Sequence, residues 1–91
     1  MNQSILFPDL QHWDEAKQAV VFFAQQNGAL IECLVSRQVL QELSGEALAE
    51  SQHVMTVFSE WRFDLEELAE QAIENEMFNS LGQIEITRER F

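Results

Sequence analysis

Ninety-one residues with 46% hydrophobic content, seven Phe and two Trp make one folded domain, residues 1–91, rather than a disordered chain. A chain of this length buries a little over ~60% of the surface its unfolded form exposes, enough for one core without metal or disulfide staples. Sixteen Asp and Glu against five Lys and Arg, formally −11 at pH 7, argue against direct binding to nucleic acid or to anionic membranes and allow a basic protein partner.

In chain order, Ser4–Phe7 reads as a short first strand ended by the turn starter Pro8-Asp9. Residues 9–17, DLQHWDEAK, read as a connection with Trp13 as its one large anchor. Two apolar runs then meet at Asn27-Gly28, a pair that takes positive φ at both positions as a type I′ turn requires. The expected hairpin spans roughly 18–25 and 29–36. With Asn27 and Gly28 as the loop, Ala24 faces Ile31, Phe22 faces Cys33 and Val20 faces Val35, giving one wholly apolar side. The other side carries Val21, Phe23, Gln25, Leu30, Glu32 and Leu34. A one-residue slip would exchange the two sides, so the clean sorting supports this register.

Ser36 is a candidate N-cap for a helix over Arg37–Leu43, closed by Ser44-Gly45. A second helix is expected from Glu46 to Trp61, with Leu48, Val54, Met55, Val57, Phe58 and Trp61 broadly on one side. A third is expected over 64–76, with Asp64 as N-cap and Glu67 near a capping-box position. Its apolar stripe is Leu65, Leu68, Ala69, Ala72 and Ile73, opposed by Glu66, Glu70 and Glu74. Asn79–Gly82 reads as a turn and Gln83–Arg88 as a last strand with Ile84 and Ile86 on one side. The order β-β-β-α-α-α-β implies an α+β domain with an about four-stranded, largely antiparallel sheet and segregated helices. The last strand belongs beside either the first or the third.

These residues resemble a small bacterial family, domain of unknown function 1488. The likeness rests on Ile5-x-Phe7-Pro8-Asp9, Trp13-Asp14, Val20-x-Phe22-x-Ala24, Asn27-Gly28, Cys33-x-Val35-Ser36 and Leu40 with a helix pair downstream. It covers nearly the whole chain. What it implies is a soluble α+β protein standing alone as one domain, with no established activity to carry over.

Catalytic signatures are missing from the sequence. The glycines at 28, 45 and 82 form no phosphate loop, and there is no GxSxG, CxxC or HExxH pattern. Cys33 falls on the apolar side of the hairpin, where a thiol is expected to be inert, and a single cysteine fits a reducing, cytoplasmic setting. The start MNQSILFPDL is not expected to be a secretory signal, and no apolar run is long enough to span a bilayer. His12 with Asp9 and Asp14 could bind a metal or small ligand, although the spacing matches no standard site. His53 has no partner readable from its neighbours.

Three functional readings follow, none needing a cofactor. The first is a non-catalytic protein–protein interaction or regulatory module using Val21, Phe23, Leu30 and Leu34, with a homodimer as one form of contact. The second is a ligand or metal binder, or an enzyme, built on the Asp9-His12-Asp14 loop. The third is an acidic mimic of nucleic acid that binds a basic protein through Glu66, Glu70 and Glu74.

Overall fold

The computed structural model describes residues 5–88. Strands β1 (Gln11–Asp14), β2 (Ala19–Gln26) and β3 (Ala29–Ser36) precede helices α1 (Arg37–Ser44), α2 (Ser51–Glu60) and α3 (Arg62–Glu74), and β4 (Ile84–Ile86) closes the order β-β-β-α-α-α-β. The sheet is ordered β1-β2-β3-β4, with β1–β2 and β2–β3 antiparallel and β3–β4 parallel. The last strand therefore lies beside the third. A parallel partner needs a long crossover, and the three helices supply it.

The hairpin has the expected register, Ala24 against Ile31, Phe22 against Cys33 and Val20 against Val35. Asn27 and Gly28 both have positive φ, 56° and 81°. The apolar side of the hairpin packs with Ile84 and Ile86 against Leu40, Leu48, Val54, Phe58, Leu65, Ala69 and Ile73 from the helical side. All three helices thus cover one face of the sheet, and among the described residues no helix covers the other, open face.

Four sequence expectations are corrected. The first strand is Gln11–Asp14, inside the stretch read as a connection, and not Ser4–Phe7. Ser4 lies outside the described residues, and Leu6 makes only an isolated two-bond bridge to Gln25, at 2.9 and 2.7 Å. Pro8 has no N–H to continue a ladder; the chain loops out, with Leu10 N–H donating to the Pro8 carbonyl at 2.8 Å, before pairing resumes at Gln11. Strand β4 is shorter than Gln83–Arg88.

Helix α2 starts at Ser51, not Glu46. Residues 46–49 are held by side chains instead of helical hydrogen bonds: Leu48 N–H donates to Gln41 Oε1 at 2.9 Å, and the Arg37 guanidinium donates to the Leu48 and Ala49 carbonyls, both at 2.7 Å. Helix α3 starts at Arg62, so Asp64 lies in its first turn and is not the N-cap; Trp61 holds that position without a side-chain cap. Asp64 still sits favourably at the positive end of the helix dipole. By contrast, Ser36 Oγ accepts the Val39 N–H at 3.1 Å, and Gly45 closes α1 with φ 73°.

Candidate functional site

The open face of the sheet is the candidate site. Period-two alternation places His12 and Asp14 of β1, Ala19, Val21 and Phe23 of β2, Leu30, Glu32 and Leu34 of β3, and Glu85 of β4 on this side. Phe23 and Leu34 are half-buried, and Leu30 is 55% exposed. Val21 belongs to the same surface by register, yet it is only 2% exposed and is floor, not contact.

A polar ladder borders this face on the β4 side. Gln83 Nε2 donates to Glu32 Oε1 at 2.6 Å, and Asn79 Nδ2 donates to Gln83 Oε1 and Glu85 Oε2 at 3.0 and 2.8 Å. Asn79 Oδ1 accepts the N–H groups of Leu81 and Gln83, both at 2.9 Å, which shapes the turn and leaves Leu81 75% exposed. Sequence reading identified this turn but not its role as a wall. Asn three residues before Gly82 was the available signal; the contact from Gln83 to Glu32 spans 51 positions and had none.

The acidic residues of α3 do not act as one free stripe. Glu66 accepts from Arg62 Nε and its side chain is only 18% exposed, whereas Glu70 is half-buried and Glu74 is exposed. Arg62 also donates to the Pro8 carbonyl, to Asp9 and to Gln11.

Asp9, His12 and Asp14 each have a different neighbour. Asp9 reaches Arg62 at 3.3 Å, Asp14 Oδ1 accepts the Lys17 N–H at 3.0 Å, and His12 stands beside the Phe23 ring with centroids 6.3 Å apart. Among the described residues no three His, Cys, Asp or Glu side chains converge to hold a metal. His53 Nε2 meets Glu46 Oε1 at 2.9 Å on the surface.

Cys33 is fully buried, and its desolvated thiol is pushed up to about 12. Its Sγ donates weakly to the Ile31 carbonyl at 3.7 Å. A group held neutral in this way is no nucleophile. The Glu15 carboxyl is held below its ordinary value by the Trp13 indole N–H, which it accepts at 2.8 Å, and then by Gln18. Trp13 is also covered by the Arg37 guanidinium, 5.1 Å from the ring centroid. Both tryptophans pack against the core as anchors. Among the described residues no helix is long and apolar enough to cross a membrane.

Comparison with known proteins agrees with this architecture. The chain is 35% identical over 85 residues to the uncharacterized protein YrdB of Escherichia coli K12, covering 92% of this chain and 96% of that protein. It is 34% identical over 85 residues to YrdB of Shigella flexneri, with the same coverage of 92% and 96%. A crystal structure at 1.60 Å of a DUF1488-family protein of unknown function from Shewanella loihica PV-4 superimposes with a TM-score of 0.93 and 41% identity, covering 97% of each chain. Residues 5–86 match the family described as "Protein of unknown function (DUF1488)", and the chain belongs to that family.

Proposed function

We propose that this protein is a cytoplasmic interaction or regulatory module without catalytic activity, and that it works through the open face of its sheet. One observation carries this reading: the three helices all pack on one face, leaving Leu30 exposed and Phe23 and Leu34 only half-buried on the other. Apolar side chains grouped on one surface favour a partner. A buried cysteine free of any disulfide fits a reducing compartment.

A second copy of the chain is the simplest occupant, because one self-complementary patch closes a two-fold dimer. The open face carries Asp14, Glu32 and Glu85, but the largest group of carboxylates in this chain of net charge −11 lies elsewhere. Asp64, Glu66, Glu67, Glu70 and Glu74 all lie on α3, behind the sheet, so pairing through the open faces turns these carboxylates away from each other.

Sedimentation equilibrium across the micromolar to near-millimolar range tests the reading. The wild type should self-associate, more strongly as added salt screens the residual repulsion, and Phe23→Glu should be a folded monomer. A wild type that stays monomeric throughout removes the dimer. Unfolding of Phe23→Glu together with Leu30→Glu would show that the patch belongs to the core.

A further inference from the structure

At the Ser36 end of the open face lies a cleft of about 690 Å³, distant along the strands from Phe23 and Leu30. That volume falls inside the roughly 300–1,000 Å³ range of small-molecule sites. Its floor is apolar, formed by Ala19 and Leu34, with Leu81 on the Asn79–Gly82 wall.

The cations of this acidic chain have an uneven distribution. Arg37 and Arg62 are tied into internal networks. The other two described cations, Lys17 and Arg88, both line the cleft. Lys17 has no ion pair among the described residues, and Arg88 makes one exposed contact, to Glu42 at 3.5 Å. Register places both beyond the Ala19–Ser36 pair, while Leu34 lies inboard of it. Ser36 also lines the cleft; its Oγ accepts from Val39, which leaves its hydroxyl hydrogen free to donate. The cleft thus has a cationic, hydrogen-bonding mouth and an apolar interior.

Among the described residues Glu85 is the one carboxylate lining the cleft, and its Oε2 accepts from Asn79. The α3 carboxylates stand behind a packed layer roughly 10 Å thick, farther than the screening length of about 8 Å at physiological salt. At the mouth, Asp14 accepts the Lys17 backbone N–H and Glu42 meets Arg88, so the two cations stand with carboxylates beside them, while Glu85 keeps its charge deeper on the β4 side.

We propose that this cleft binds a small amphipathic organic anion, with its acidic head at Lys17, Ser36 and Arg88 and its apolar body along Ala19, Leu34 and Leu81. This goes beyond the interaction reading and does not depend on self-association.

The test is amide NMR titration of the full chain with hexanoate, hexan-1-ol and hexylammonium, three probes that share a tail and differ in charge. Hexanoate should shift Ala19, Leu34, Ser36 and Thr87 saturably, with a roughly millimolar Kd for so small a probe. Hexan-1-ol should bind more weakly and hexylammonium weakest. Lys17→Glu lies in an exposed turn, so it should leave the fold intact and weaken hexanoate about fivefold without changing hexan-1-ol, as expected when an exposed charge pair is removed and reversed. Equal binding of the alcohol, tighter binding of the amine, shifts confined to other residues, no saturable shift, or an unchanged hexanoate affinity in Lys17→Glu would each overturn the proposal.

Discussion

The Arg62 guanidinium donates to the carbonyl oxygen of Pro8 at 2.9 Å, joining the start of α3 to a segment 54 positions earlier. A cation in the first turn of a helix opposes the dipole. The position is offset by contacts to Pro8, Asp9, Gln11 and Glu66 and by the Phe58 ring 6.0 Å away. Arg62→Met keeps the stem and removes the fork, and should lower stability by about 2 kcal/mol in urea unfolding. Arg62→Lys should recover only part of it, because an ammonium cannot match the planar fork. A loss within about 0.5 kcal/mol would mean that the network follows the fold and does not hold it.

The carboxylates of α3 should differ in worth. Glu66→Gln removes the charge from a sheltered pair and should cost about 1 kcal/mol. Glu74→Gln, on an exposed position, should leave the melting temperature unchanged or slightly higher by relieving like-charge repulsion. Equal effects at the two positions would contradict the structure.

Cys33 supplies an alkaline signature. Its thiol is raised from an ordinary value of 9.0 to about 12, so the folded state keeps a proton that the unfolded state loses. That contribution is complete below pH 9.0 and is lost as pH rises towards 12. Cys33→Ala should be less stable than wild type by about 1 kcal/mol at neutral pH, and the gap should narrow steadily above pH 9.0. With no tyrosine and Lys17 the sole lysine, few other side chains titrate there. Denaturant melts at stepped pH measure the gap, and a constant difference would defeat the account. Thiol reagents should modify Cys33 only after unfolding.

Gly28 tests the hairpin turn. A Cβ added there meets nothing within 4 Å, so any cost comes from its φ of 81°. Gly28→Ala should lose about 1 kcal/mol, while Gly28→Asn, whose side chain tolerates the left-handed region, should lose less. Equal losses measured by thermal melts would point to a contact rather than to backbone strain.

The features legible along the chain were local and periodic. Asn27-Gly28 set a turn whose chirality matches strand twist, and alternation from Val20 to Val35 then sorted core from open face. Ser36 and Gly45 bounded α1 because each meets a need of nearby backbone. Only the tertiary structure decided the rest. Gln11–Asp14 has little strand propensity of its own and becomes β1 because β2 offers an unpaired edge. Residues 46–49 carry helix-compatible side chains, yet Arg37 and Gln41 capture their backbone from another helix. The parallel place of β4, the engagement of Glu66 by Arg62 and the gathering of Lys17 and Arg88 at one cleft join residues distant in the chain. No local periodicity encodes those meetings; they arise when three helices cross one face of the sheet to bury a single core.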